Sequence, residues 1–363
     1  MEDKEKKSSF GRRLLIFFIS VFAVFGLLSM ILCVINPLIS PNRFVLTSYF
    51  GLAFWPIFIF NLLMLLILIF LKAKKAFLYP ILALVVSIPG FLRSYSVKKA
   101  ATEEGNIKIV SYNVGHTYDE NNIARDKKSI KEDIINIINE INPDIVCLQE
   151  SVKFNKKALE KFANRINFKY YSNDLARIVI FSKYPIEDDT LTEKFKNTCK
   201  FGSLKIVNAG GLGKFYVGCV HLQSYGLTNE EIEYVNDTKH YINNSETTGK
   251  SLISKLKYGF EKRTENTKTI VENMPANGIP IIICGDFNDT PMSYTYNQMR
   301  KAGLKDAFLK VGHGLGTTYN GELPMLRIDY IWYSENVVPM TFTRLKKKMS
   351  DHYPIIMTFN VTH

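Results

Sequence analysis

The stretch Ile281-Ile282-Ile283-Cys284-Gly285-Asp286-Phe287-Asn288-Asp289-Thr290-Pro291 constrains this chain more than any other. A short unbroken apolar run reads as a strand buried on both faces. It ends in a glycine, then sets a carboxylate and a carboxamide two residues apart. On extended backbone such residues point the same way, so Asp286 and Asn288 are expected to face one site. Pro291 ends any ladder, having no N–H to give. Gly, Asp, Asn and Pro also make ordinary turns, so the stretch gains meaning only from other runs that end alike.

Such runs recur. Residues 107–113 form a strand-like run ending on Asn113, and 144–150 one ending on Glu150. Residues 175–182 read as another strand, closed by Pro185. A hairpin follows, 204–208 and 214–220 around Gly210 and Gly211, with His221 at its end. Residues 327–332 make a strand with Asp329 near its start, and Ser350-Asp351-His352-Tyr353-Pro354 leads into the apolar 355–361. Between them Ile130, Ile134, Ile137, Ile138 and Ile141 recur at helical spacing up to Pro143. Two helices are expected within 222–279, the second carrying Leu252, Leu256, Phe260, Arg263, Thr267, Ile270 and Met274 on one stripe. Another is expected over 293–303, capped by Gly303. Strand and helix signals thus alternate through 105–363, which reads as one α/β domain behind a polar linker at 94–104.

Residues 1–93 differ. Residues 14–35, 44–71 and 76–92 hold no charged side chain, and a hydrocarbon core takes roughly 20 apolar residues to cross. They are expected to form a bundle of about three transmembrane helices, an integral anchor in an inner or plasma membrane. Five basic residues precede the first run, and Lys72, Lys74 and Lys75 follow the second, against Arg43 alone between them. The basic-inside bias puts the tail inside and, after three crossings, residues 105–363 outside the cytoplasm. The net charge of +12 belongs mostly to this end: residues 1–100 carry 12 basic and 3 acidic side chains, the remainder 34 and 31. The near-balance of the α/β domain argues against a large duplex-binding face. Five cysteines without C-x-x-C spacing imply neither a disulfide framework nor a zinc site; they read as buried free thiols.

Asn113, Glu150, His221, Asp286, Asn288, Asp329, Asp351 and His352 all stand at the ends of β runs. Carboxylates without thiolate partners suit a hard cation such as Mg²⁺ or Mn²⁺, whose remaining positions go to water and substrate phosphate. An Asp–His pair suits an oriented imidazole. The pieces SYN at 111–113, LQE at 148–150, HL at 221–222, GDFN at 285–288, IDY at 328–330 and SDH at 350–352, in that order, resemble the endonuclease/exonuclease/phosphatase superfamily.

The resemblance covers roughly 105–363. It implies a four-layer αββα sandwich of two mixed sheets with its site at one rim, and Mg²⁺-dependent hydrolysis of a phosphoester by in-line attack of water. It further implies Glu150 as the main metal ligand, with Asn113 and Asp351 nearby. Asp286 would orient or deprotonate the water, and Asn288 would hold a phosphoryl oxygen. His352, paired with Asp329, would act as base or phosphate clamp; His221 would bind a non-bridging oxygen or assist the leaving group. The expected substrate is a phosphoester of a lipid head group, a nucleotide or nucleic acid, and no protein partner is expected. An endonuclease and a catalytically silent membrane-bound binding domain are the competing expectations.

Other residues carry blander readings. Asp289 reads as a turn residue, and Arg263 as the partner of a buried acid. Arg344, Lys346, Lys347 and Lys348 read as a solvated loop, or else as an attractor of anionic substrate or lipid. Two departures from the family pattern stand out: Ala176-Arg177, where many members carry glycine, and the excursion 222–279, which is not assignable to a substrate-recognition insert and links His221 to Asp286.

Overall fold

The computed structural model describes residues 2–73, 75–98, 103–115, 127–151, 155–175, 177–226, 245–321, 325–347 and 349–362. They fall into two compact units, Met1–Ser94 with Pro291–Tyr294, and Tyr95–Thr290 with Thr295–His363.

The first unit holds α1 (Glu2–Ile35), α2 (Pro41–Phe44), α3 (Leu46–Leu52), α4 (Phe54–Phe70) and α5 (Leu78–Ser94). One stretch, Phe10–Leu38, is long and apolar enough to cross a membrane, at 29 residues. The second uncharged run is not one helix: it breaks at Ala53, and α3 and α4 diverge by 72°. Pro56 explains the break. It offers no N–H to the Leu52 carbonyl and its ring would strike it, so the helix restarts with Pro56 in the first turn. The third run forms α5, of 17 residues, about 25 Å against a hydrocarbon core of about 30 Å. The expected bundle of three spanning helices therefore gives way to one continuous helix, or two if the bent pair counts as one span. Small residues line the contacts within this unit: Ala23, Cys33 and Ala83 are buried. Gly26 allows the close approach of Asn61, whose amide donates to its carbonyl at 3.1 Å; a Cβ at Gly26 would sit 2.7 Å from Asn61 Oδ1. Phe18, Phe22, Phe25, Leu63, Leu66, Val85 and Ile88 are exposed.

The second unit contains twelve strands among the described residues: β1 (Ile107–Asn113), β2 (Ile145–Gln149), β3 (Tyr170–Leu175), β4 (Ile178–Ser182), β5 (Ile186–Glu187), β6 (Gly202–Asn208), β7 (Lys214–His221), β8 (Ile281–Asp286), β9 (Lys305–Asp306), β10 (Asp329–Tyr333), β11 (Val337–Arg344) and β12 (Ile355–Val361). They make two six-stranded mixed sheets, in the orders β11-β12-β1-β2-β4-β3 and β5-β6-β7-β8-β10-β9. The helices are α6 (Lys127–Ile141), α7 (Lys156–Arg165), α8 (Thr190–Thr198), α9 (Ser245–Glu272), α10 (Tyr294–Lys301) and α11 (Ala307–Val311).

Alternation along each strand builds the layers. Ile109, Ile145, Cys147, Ile180 and Met357 of one sheet share a buried cluster with Val217, Cys219, Ile282, Cys284 and Ile331 of the other. Their chain neighbours Val110, Val146, Leu148 and Phe181 turn the other way, against α6 and α7. Tyr216, Ile281, Ile283 and Trp332 pack against Phe195, Ile270, Tyr296 and Met299 of α8, α9 and α10. Both faces of the central strands are covered, which is why the sequence there is unbroken apolar rather than alternating.

Several expected boundaries change. Residues 175–182 are not one strand: Leu175 ends β3, Ile178 begins β4, and the two pair as a hairpin. The first of the two helices expected in 222–279 falls largely on 227–244, outside the described residues; the second is α9. Ala176 and Lys348 also lie outside them.

Candidate active site

The topology brings six chain segments to one rim. β1 and β2 run parallel, as do β7 and β8, so Asn113, Glu150, His221 and Asp286 all stand at C-terminal strand ends. β10 and β12 are antiparallel to β8 and β1 and therefore start at the same rim, which places Asp329 and the Ser350–His352 turn beside them. Register does the rest: His221 and Asp329 are both Cα partners of Asp286. Gly285 permits this pairing. Its φ is +145°, and a Cβ there would lie 1.9 Å from the Val220 carbonyl oxygen.

Hydrogen bonds close the cluster across both sheets. Asn113 Nδ2 donates to Asp286 Oδ2 at 3.0 Å and to Glu150 Oε1 at 3.2 Å, while its Oδ1 accepts from Gly115 N at 2.9 Å. His221 Nε2 lies 3.4 Å from Glu150 Oε1 and 3.7 Å from Asp286 Oδ2. His352 Nδ1 donates to Asp329 Oδ2 at 2.8 Å, and its Nε2 stands 3.7 Å from Asp286 Oδ2. Asp286 and Asn288 do meet, but not by strand alternation. β8 ends at Asp286, Asn288 adopts φ +52°, and its Nδ2 turns back to Asp286 Oδ2 at 3.0 Å. Glu150 holds φ +53°. Two non-glycine residues in the left-handed region within one site are the kind of backbone strain that clusters at functional centres.

Supporting residues escaped the sequence reading. Thr318 Oγ1 accepts from the N–H groups of Ile328 and Asp329, each at 3.0 Å, and Tyr319 packs edge-on against His352 at 5.5 Å. Ser350 Oγ reaches the carbonyls of Asn113 and Gly115 at 2.9 and 2.8 Å, tying the start of β12 to the end of β1. Arg177 Nη2 lies 3.2 Å from Glu150 Oε2 and is exposed. Nothing in periodicity or composition marks Thr318 or Tyr319, since their roles come from contacts distant in the chain. Asp351 enters on the His352 side, accepting from Ser350 Oγ at 3.2 Å. Asp289, expected in a turn, is buried and paired with Arg263 at 3.3 Å. Lys347 pairs with Glu140, and Arg344 donates to the Thr317 carbonyl.

Burial governs the electrostatics. It pushes the Asp286 carboxyl up to about 6; the Asp329 charge adds to the rise, while His352, His221 and the Asn288 N–H oppose it. For His352 burial disfavours the charged ring, but Asp329 and Asp286 prevail and hold it up at about 10. The two acids thus favour the charged imidazole, in which both ring nitrogens donate.

The donors fit a hard divalent cation. Glu150 and Asp286 present carboxylate oxygens, and no thiolate joins them. Asp286 is crowded by acid, which a cation would relieve, and His221 Nε2 is buried with no hydrogen-bond partner among the described residues. Asp286, Asp329 and His352 offer ligand atoms within 4.8 Å of one another, a set different from the expected Asn113, Glu150 and Asp351. As oriented, Asn113 faces the acids with its amide nitrogen, and must turn its oxygen inward to ligate.

Acids, amides and imidazoles thus gather at one rim of a two-sheet α/β sandwich. Residues 110–352 match the Endonuclease/Exonuclease/phosphatase family, and the chain belongs to it. Membership sets the activity class as hydrolysis of a phosphoester bond. Residues 12–95 match a domain of unknown function (DUF8431).

A curated relative, the CCR4-Not complex 3'-5'-exoribonuclease subunit Ccr4 of Coccidioides immitis (strain RS), is 32% identical over 22% of this chain and 15% of its own length. The chain thus matches only a small part of that relative. Similar solved structures include the human Nocturnin catalytic domain with bound sulfate anion (16% identity, 73% of this chain and 98% of that one, TM-score 0.49). Another is D. rerio TDP2 complexed with single strand DNA product (17%, 70% and 99%, TM-score 0.45). A third is an AP endonuclease from Archaeoglobus fulgidus (18%, 70% and 100%, TM-score 0.45).

Proposed function

We propose that the chain is a membrane-tethered, divalent-cation-dependent phosphoesterase that cleaves a phosphodiester by in-line attack of water. The observation that carries this reading is the single network joining Asn113, Glu150, His221, Asp286, Asn288, Asp329 and His352 across both sheets. Glu150, with Asn113 and Asp351, would hold a Mg²⁺ or Mn²⁺ ion, which supplies charge to polarise the phosphoryl oxygens. Asp286 orients the attacking water through a carboxylate fixed by Asn288. His352, kept cationic by Asp329, presents Nε2–H to a phosphoryl oxygen; Asn288 would hold another only by releasing the Leu222 carbonyl or Asp286, to which its amide N–H groups now go. His221 stands on the opposite side of Asp286, placed to reach a non-bridging or leaving oxygen. Asn288 apart, these donors are set before substrate arrives, which is where such sites gain most of their rate.

The exposed apolar side chains of α1, α4 and α5 support tethering. With the basic tail inside and α1 as the crossing helix, the catalytic unit lies outside the cytoplasm. A nucleic-acid phosphodiester is the second reading, favoured by the named activity of the exoribonuclease relative and weakened by the near-balanced charge of residues 101–363. Plasmid DNA, RNA and phospholipid vesicles, offered in parallel to the detergent-solubilised chain, separate these substrates by which one is cut. For the centre itself, Glu150→Ala and His352→Ala should each lower Mg²⁺-supported hydrolysis of bis-p-nitrophenyl phosphate by about 10²-fold or more. Turnover unchanged in both variants would remove the assignment, and leave the silent-domain reading standing.

A further inference from the structure

The excursion between β7 and β8 returns to the site through one residue. Arg263 on α9 is wholly buried. Its Nη1 donates to the Gln223 carbonyl at 2.9 Å, two residues after His221, and its Nε lies 3.3 Å from Asp289 Oδ2, one residue after Asn288. The guanidinium stacks on the Tyr225 ring at 4.1 Å. Gly259 keeps the space open: a Cβ there would lie 2.9 Å from Arg263 Nη1 and 3.0 Å from Tyr225 Cδ1. Asp289 is held from the other side as well, its carbonyl accepting from Tyr330 Oη at 2.8 Å.

The two loops so joined are the ones that aim His221 and Asn288. They already touch nearer the rim, through Leu222 N to the Asp286 carbonyl at 2.9 Å and Asn288 Nδ2 to the Leu222 carbonyl at 3.1 Å. Arg263 adds the outer rung. A leucine or methionine on this stripe would pack against Tyr225 and Phe260 without the cost of desolvating a charge. Arginine brings what they lack, a rigid planar cation that donates to the Gln223 carbonyl while pairing in charge with Asp289.

We infer that Arg263 is a positioning residue, bridging the loop after His221 to the loop after Asn288 so that both side chains hold their places at the rim. The inference rests on the phosphoesterase reading only for its kinetic consequence; the bridge itself is read separately.

The test uses the full-length chain in detergent, with Arg263→Met, Arg263→Lys and Asp289→Asn compared with wild type. Arg263→Met should lower kcat for bis-p-nitrophenyl phosphate about 10- to 100-fold, the scale of a misplacement near 1 Å, with KM changed far less. Arg263→Lys keeps the charge but not the fork and should recover only part of the loss. By hydrogen exchange, amides of 222–226 and 287–290 should open faster in Arg263→Met while those of β7 and β8 keep wild-type protection. Asp289→Asn, which retains the shape of the acid, should show the same local pattern more weakly and serves if Arg263→Met does not fold. Wild-type kcat and wild-type loop exchange in the variants would overturn the inference. So would faster exchange spread evenly through β7 and β8, the mark of a core ion pair and nothing more. A wild-type chain that hydrolyses nothing would instead strike the phosphoesterase reading, leaving the exchange result to judge the bridge.

Discussion

Asp286 is where the residue-level forces meet. Asn113, Asn288, His221 and His352 all approach its carboxylate, and burial alone would leave it protonated well above the ordinary carboxylate range. Its place depends on the residue before it. Gly285→Ala would drive a methyl group into the Val220 carbonyl oxygen, and extended β7–β8 pairing leaves no room to yield. Urea denaturation should show a loss of at least about 2 kcal/mol; a variant as stable as wild type would mean that β8 can shift away from β7. The spacing of Asp286 and Asn288 was legible in the sequence, but the reason they meet was not. An αL turn, rather than an extended chain, returns the amide to the acid. Arg263 shows the opposite limit: its stripe was readable and its burial inferable, but the identity of its partner, 26 positions away at Asp289, needed the fold.

Among the elements, those buried on both faces were the ones the sequence announced. β1, β2, β7 and β8 are short apolar runs because each packs on the opposite sheet and under helices. Edge strands give weaker signals. Among the described residues β11 pairs with β12 alone, carries Pro339 and shifts register between Pro339 and Thr341, so its pattern mixes apolar and polar residues. The short α8 was likewise silent in apolar periodicity, yet it carries a capping box: Asp189 accepts from the Leu191 and Thr192 N–H groups, and Thr192 Oγ1 accepts from Asp189 N. Burial opposes ionisation of Asp189, but Tyr216 Oη and those N–H groups outweigh it and hold the carboxyl below its ordinary value of 3.8. A depressed folded value adds stability above the unfolded value and loses it as pH falls through the folded one. Asp189→Ala should therefore cost about 1 kcal/mol at pH 7. The gap from wild type, followed by thermal melts, should narrow below pH about 4; a gap that widens in acid would contradict the capping account.

At the scale of the whole molecule, the chain divides into two units, an apolar helical one and one that carries the candidate site. Counting uncharged residues overstated the spans, because a count weighs neither where Pro56 falls nor how short α5 is; among the described residues one helix has spanning length, or two if the bent pair is one span. Membranes washed with alkaline carbonate should keep the full chain in the pellet, and release into the supernatant would refute an α1 anchor. A periplasmic-type reporter joined after His363 should be active, whereas a silent, cytoplasmic reporter would reverse the orientation. The charge split was equally legible, most of the +12 lying in the first 100 residues and leaving the rest near balance. The proposed chemistry depends on the rim acting as one centre with Asp286 at its middle. The most direct measurement is kcat for Mg²⁺-supported hydrolysis of bis-p-nitrophenyl phosphate by Asp286→Asn, beside wild type in the same detergent. The expected result is a fall of about 10²-fold or more with the fold intact by circular dichroism; wild-type turnover in that variant would contradict the account.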